Sequence, residues 1–296
     1  TIECPKNQYQ RGFFEMITEK NRDTAKLLRE KRLFIFDLDG TVYLGDRIFP
    51  EAVDFIERLR ESGRRVLFFT NNASHNDDFY MEKLTRAGFS PSPEEIMTSG
   101  DVTATFILKS HPDWVTYLLG SKELFEDFRA RGIKMVNDEH GRVISDEPVD
   151  IVITSFDTEF DYAKLKTACD FIRAGAVYLC THPDFNCPID GGVLPDSGAI
   201  AAAVTASTGI APTFFGKPSA MTAEMISHIT GELRENMCIV GDRLYTDILE
   251  GKQNGITALL VLTGESTAED AAKLPANEQP DIILPDLAAA SALMFE

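Results

Sequence analysis

Short apolar runs recur along this chain and alternate with helix-length amphipathic stretches. Leu33-Phe34-Ile35-Phe36, Val66-Leu67-Phe68-Phe69, Met237-Cys238-Ile239-Val240 and Ala258-Leu259-Leu260-Val261 are continuous rather than alternating. Continuous runs of that length are what strands buried on both faces of a parallel sheet require. Between the first two lies a helical stretch from about Ala52 to Glu61, stopped at Gly63, and a second from about Asp78 to Arg86 ends at Gly88. Strands alternating with helices in this way predict an α/β fold with a doubly wound, mostly parallel sheet. Residues 1–31 hold one helical stretch near Thr24 to Glu30 and no readable chemistry.

The middle of the chain carries its own α/β pattern. Val115-Thr116-Tyr117-Leu118-Leu119, Ile151-Val152-Ile153-Thr154-Ser155 and Val177-Tyr178-Leu179-Cys180 read as strands. Ser121 and Asp161 are placed to cap helices carrying Leu124, Phe125 and Phe128, and Leu165, Cys169 and Ile172. The spacing predicts an N-terminal helical extension (1–31), a core made of 32–113 and 211–296, and an inserted α/β cap domain at 114–210.

The first strand breaks into Asp37-Leu38-Asp39-Gly40-Thr41. Ligands of open α/β sheets bind beyond the carboxyl ends of the strands, where both carboxylates fall. Side by side they repel unless a cation or a shared proton intervenes. Three further apolar runs are expected to deliver polar groups to the same edge: Thr70-Asn71-Asn72 after the second strand, Gly216-Lys217-Pro218 after Thr213-Phe214-Phe215, and Gly241-Asp242-Arg243-Leu244-Tyr245-Thr246-Asp247 after the Val240 strand. Lys217 lies 146 positions after Asn71, too far for a loop within one compact domain, so the insert stands between them. Clustered carboxylates, an ammonium, and hydroxyl and amide donors are the parts needed to bind a hard divalent cation with a phosphate beside it. Mg²⁺ suits these oxygen donors better than Zn²⁺, because the five histidines are scattered and no cysteine cluster accompanies them.

Composition narrows the partners. The 296 residues include 29 Lys plus Arg against 47 Asp plus Glu, a formal charge of -18. That balance argues against nucleic acid or an anionic membrane surface as the main partner. No apolar run approaches the roughly 18 residues of a membrane-spanning helix, and no signal-peptide pattern opens the sequence. Five cysteines without a CxxC pair read as reduced thiols, and the cytoplasm is the expected compartment.

Together, Asp37-Leu38-Asp39-Gly40-Thr41, Thr70-Asn71, Lys217 and Gly241-Asp242-Arg243-Leu244-Tyr245-Thr246-Asp247 resemble the four ordered motifs of the haloacid dehalogenase (HAD) superfamily. The large insert between the second and third motifs is similar to the cap of its NagD-like, 4-nitrophenylphosphatase branch. The resemblance spans about residues 32–265, and no motif position departs from it. It implies a HAD-like Rossmannoid core and a Mg²⁺-dependent phosphatase acting on a small phosphorylated metabolite. Asp37 would be the nucleophile and Asp39 the general acid and base, with Thr70 and Lys217 grounding the phosphate. Asp37, Asp39, Asp242 and Asp247 would hold the metal. Gly40, Asn71 and Asn72 would lie against the substrate, as would His182 and Asp184 in the cap loop Thr181-His182-Pro183-Asp184. Caps of this branch often pair, so the resemblance also suggests a homodimer through the cap. Dehalogenases share the nucleophile but lack the second acid, so Asp39 favours phosphoryl transfer to water. A phosphotransferase or mutase, or a non-catalytic sensor of Mg²⁺ and a phosphorylated metabolite, are the alternatives.

Overall fold

The computed structural model describes residues 22–45, 47–189 and 192–296; most of the expected N-terminal extension, residues 1–21, lies outside them. Residues 22–29 are helical (α1). A six-stranded sheet follows, built from β1 (Leu33–Phe36), β4 (Arg65–Thr70), β5 (Ile96–Thr98), β13 (Met237–Gly241), β14 (Thr257–Val261) and β15 (Ile282–Leu284). Its order is β15-β14-β13-β1-β4-β5, and every pairing is parallel. A two-stranded hairpin, β2 (Tyr43–Leu44) and β3 (Arg47–Ile48), projects from the turn after β1.

The central position of β1 explains its sequence. Leu33 and Ile35 face one apolar cluster with Leu67, Phe69 and Ile239. Phe34 and Phe36 face the other with Phe55, Val66, Phe68 and Val240. Helices cover both faces, as the continuous apolar runs require. α2 (Pro50–Glu61), α3 (Asp77–Arg86) and the C-terminal helix α10 (Leu287–Phe295) lie on the phenylalanine side. α4 (Ser99–Ser110) and α8 (Ala220–Thr230) lie on the other, with α9 (Leu249–Asn254), whose Gly251 packs against Ala258 and Ile239. Asn76, rather than Thr70, Asn71 or Asn72, caps α3, accepting from the Phe79 amide.

The second sheet is also parallel, in the order β12-β9-β8-β6-β7. Its strands are β6 (Val115–Leu119), β7 (Lys134–Met135), β8 (Ile151–Thr154), β9 (Val177–Cys180) and β12 (Thr213–Phe214). Ser121 caps α5 (Lys122–Ala130), and Asp161 caps α6 (Tyr162–Arg173), as their positions before apolar stretches predict. An antiparallel hairpin, β10 (Asn186–Ile189) with β11 (Gly192–Pro195), leads into α7 (Ser197–Thr208). One apolar cluster runs without a break from the first sheet through α4 and α5 to Ile151, Ile153 and Leu179 of the second. The two sheets therefore share a packed seam.

One strand differs from its sequence reading. Thr213–Phe214 pairs with Leu179 and Cys180 at the edge of the second sheet, not in the first. Two residues of strand carry no periodicity that selects a sheet. Lys217 thus reaches the active edge from across the seam, while Asp37, Thr70 and Asp242 come off strands of the first sheet.

Candidate active site

Register places the site. Phe36 is level with Val240 of β13 and Phe68 of β4, so Asp37, Asp242 and Thr70 emerge together from neighbouring strand ends. The Asp37 amide continues the ladder, donating to Val240 O at 2.9 Å. The chain then turns through Gly40 at φ +90°, a conformation in which other residues are strained. A Cβ on Gly40 would also lie 2.4 Å from Asp242 Oδ2. A Cβ on Gly264, in the loop after β14, would lie 2.0 Å from the same oxygen. Both glycines leave room for the Asp242 carboxylate, which accepts the Glu265 amide at 2.7 Å.

Asp37, Asp242 and Asp247 are buried, and each offers an oxygen within 4.8 Å of the others. Lys217 Nζ donates to Asp37 Oδ1 at 2.5 Å, lies 2.7 Å from Asp247 Oδ1 and donates to Phe69 O at 3.2 Å. Burial alone would lower the Lys217 pKa. The charges of Asp247 and Asp37 outweigh it, and the pKa rises. The Lys217 ammonium and the nearby Arg243 guanidinium still leave the three carboxylates one positive charge short. Burial, with Asp37 and Asp247 nearby, pushes Asp242 up to about 7, and burial pushes Asp247 up to about 6. An all-oxygen, carboxylate-rich pocket with uncompensated negative charge fits a hard divalent cation. Asp37, Asp242 and Asp247 are the carboxylates that could hold it.

Asp39 stands at the mouth, accessible to solvent. Protein on its remaining sides, with the Asp37 charge, raises its pKa above the ordinary carboxylate value against the opposing pull of Lys83. Thr70 is half-buried at the end of β4, and its hydroxyl accepts the Asn72 amide at 3.1 Å. Asn71 is pinned on both sides: its Oδ1 accepts the Lys217 amide at 2.7 Å, and its Nδ2 donates to Lys217 O at 3.0 Å and to Asp184 Oδ2 at 3.1 Å. Asp184 is half-buried and reaches the site through that contact.

Three residues expected to touch substrate are otherwise engaged. Gly40 gives its amide to Tyr43 O at 2.7 Å and accepts the Thr263 hydroxyl at 2.6 Å, so its part is steric. Asn72 Oδ1 accepts the Ser74 amide and hydroxyl at 2.8 and 2.5 Å, holding its own loop. His182 is fully buried rather than facing substrate. Burial continues past the end of β9 through Thr181 and His182, and a buried imidazole must find partners inside the protein.

Thr263, Gly264 and Glu265 were not singled out from sequence. Their signal was present: they follow the apolar run Ala258 to Val261, another strand ending at the same edge. Arg243 and Tyr245 lie within the motif from Gly241 to Asp247. Arg243 Nε lies 3.2 Å from Glu265 Oε2, and the Tyr245 hydroxyl donates to that oxygen at 3.2 Å.

Comparison with known proteins agrees with this geometry. A family model described as haloacid dehalogenase-like hydrolase matches residues 34–134, and a second, HAD-hydrolase-like, matches 214–290. An acid sugar phosphatase of Staphylococcus aureus (strain USA300) is 35% identical over 82% of this chain and 91% of its own length. The crystal structure of 4-nitrophenylphosphatase from Thermotoga maritima aligns with a TM-score of 0.81 at 40% identity, covering 90% of this chain and 98% of that one. NagD from E. coli K-12 aligns with a TM-score of 0.78 at 27% identity, covering 87% and 97%. With its motif residues gathered at one sheet edge and these relatives matched over most of its length, the chain belongs to the haloacid dehalogenase-like hydrolases, in the NagD and 4-nitrophenylphosphatase branch.

Proposed function

We propose that this phosphatase is Mg²⁺-dependent and hydrolyses small phosphomonoesters, sugar phosphates among them, through a phosphoaspartyl intermediate on Asp37. The observation that carries the reading is the buried junction of Asp37, Asp242 and Asp247 with Lys217 at the carboxyl edge of the first sheet. Asp37 attacks phosphorus in line, and the bond to the ester oxygen breaks as the Asp37 oxygen–phosphorus bond forms. Asp39 gives its proton to the departing alcohol, a role suited to a carboxyl with a raised pKa. It then takes a proton from the water that hydrolyses the acyl phosphate. Lys217 and the Thr70 hydroxyl offset charge on the phosphate oxygens. Mg²⁺, held by Asp37, Asp242, Asp247 and the Asp39 main-chain carbonyl, would reduce repulsion between the anionic nucleophile and the anionic phosphate.

The second sheet serves as the cap, excluding water and selecting the leaving group. Because β12 pairs with β9, we place its far boundary after Phe214 rather than at residue 210. Asp184 is a cap side chain bonded directly to a core motif, accepting from Asn71. A homodimer through the cap and a cytoplasmic location complete the proposal.

Phosphate release from a panel of small phosphomonoesters, with Mg²⁺ and then EDTA, tests it. Release that EDTA abolishes is expected, together with loss of turnover by about a thousandfold or more in Asp37→Asn and an unchanged melting profile. Silence across the panel, p-nitrophenyl phosphate included, would overturn the reading. Substantial activity in Asp37→Asn would remove its nucleophile.

A further inference from the structure

A line of buried polar contacts crosses the seam between the two sheets and ends at the nucleophile. His182, just past β9, donates from Nε2 to Asp196 Oδ1 at 2.9 Å. Its Nδ1 lies 3.0 Å from Thr181 Oγ1 and 3.3 Å from Ser99 Oγ. Ser99 opens α4 of the first sheet's helical layer, and its hydroxyl donates to Asn71 O at 2.5 Å. Asn71 brackets the Lys217 backbone, and Lys217 Nζ donates to Asp37. His182, Ser99, Asp196, Asn71 and Lys217 are each no more than 6% exposed.

Buried polar groups are costly unless satisfied, so a connected set of this kind holds one arrangement strongly. Asp196 adds a second anchor: the same Oδ1 accepts the Ser197 amide at 2.6 Å as the N-cap of α7. Backbone packing supports the link independently. A Cβ on Gly216 would lie 2.8 Å from both Asn71 Oδ1 and His182 Cβ, so the strand leading to Lys217 runs wedged between them.

We propose that His182, with Asp196, is a positioning residue for the phosphoryl chemistry. It holds Ser99 and Asn71, and through them Lys217, in register with Asp37, and it makes no contact with substrate. The inference rests on the phosphatase reading above. Its function is to make the cap loop and the motif loop one rigid unit. A misplacement of Lys217 of a few tenths of an ångström to one ångström would act on the phosphoryl group, common to every substrate, and not on the leaving group.

The test compares His182→Ala, Asp196→Asn and Ser99→Ala with the unaltered protein, once that protein has released phosphate in the panel above. kcat and KM are measured on p-nitrophenyl phosphate and on a sugar phosphate at saturating Mg²⁺, with rates normalised to folded protein. We expect kcat to fall about ten- to a hundredfold, by the same factor on both substrates, with KM nearly unchanged. The His182→Ala, Ser99→Ala double variant should be no slower than the slower single one, because both act through the same contacts. His182→Gln, which keeps a donor for Asp196, should recover part of the rate. A fall in melting temperature with kcat unchanged would reduce the network to packing and overturn the proposal. Factors that differ between the two substrates would overturn it in favour of direct substrate contact. Should His182→Ala fail to fold, Asp196→Asn and Ser99→Ala give the same discrimination. An inactive unaltered protein would overturn the phosphatase reading first, and this inference with it.

Discussion

Lys217 is fully enclosed, and two carboxylates within 2.7 Å keep it charged. The carboxylates themselves are the strained partners. Asp242 at about 7 and Asp247 at about 6 sit well above an ordinary aspartate, and burial raises Glu250 in the same direction. The sign follows from proton counting. Between about pH 4 and 7 the folded chain binds more protons at these sites than the unfolded chain, so stability is greatest at the acid end and is lost as pH rises through that window. Without metal, the melting temperature should therefore drop from pH 5 to pH 8. Mg²⁺ should restore most of that loss at pH 8 and little at pH 5, where protons occupy the same oxygens. Thermal melts in EDTA and in Mg²⁺ across this range check both halves. A flat profile in EDTA would show that Asp242 and Asp247 do not sit in an uncompensated pocket.

At the level of elements, the site is a set of strand ends, and legibility follows from how each strand announces itself. The four residues of β1 are all buried, so the pattern breaks sharply at Asp37 and marks the turn. β13 does the same before Asp242. Lys217 was readable as a placed charge from Gly216 and Pro218, but the sheet it belongs to was not, because β12 has two residues and no alternation. His182 and Asp196 are separated by the β10–β11 hairpin, and no local pattern reveals that an imidazole and a carboxylate 14 positions apart will meet. Gly264 is an intermediate case. Its strand was legible, but the reason for glycine is a close approach by a side chain more than twenty positions away. Gly264→Ala should displace the Asp242 carboxylate while leaving the strands intact. The expected result is a rise of about tenfold or more in the Mg²⁺ concentration for half-maximal activity, in line with losses seen when groups supporting metal ligands are disturbed. The melting temperature without metal should change little. Mg²⁺ titration of activity and a melt in EDTA separate the two effects, and an unchanged Mg²⁺ requirement would place Asp242 outside the metal site.

Across the whole molecule, a formal charge of -18 surrounds a site that must admit an anion. Among the described residues, Lys217 is sealed inside, and Lys83 and Arg243 stand near Asp39 at the mouth. Lys83 also lies over the Tyr43 ring at 4.0 Å, and Arg243 is paired with Glu265. At long range the approaching phosphomonoester therefore meets a negative field, and only at short range a positive one. Salt distinguishes the two distances. The screening length is about 30 Å at 0.01 M and about 8 Å at 0.15 M ionic strength, so added salt removes the distant repulsion before it weakens the local attraction. At fixed free Mg²⁺, kcat/KM should rise between those two salt concentrations, the reverse of an enzyme that steers its substrate electrostatically. The gain in kcat/KM for a doubly charged sugar phosphate should exceed the gain in affinity of its singly charged methyl phosphodiester, read as a competitive inhibition constant over the same salt interval. A fall in kcat/KM over that interval would mean that the mouth cations dominate the field, and that Lys83 and Arg243, rather than the distribution of acidic residues over the surface, govern how substrate arrives.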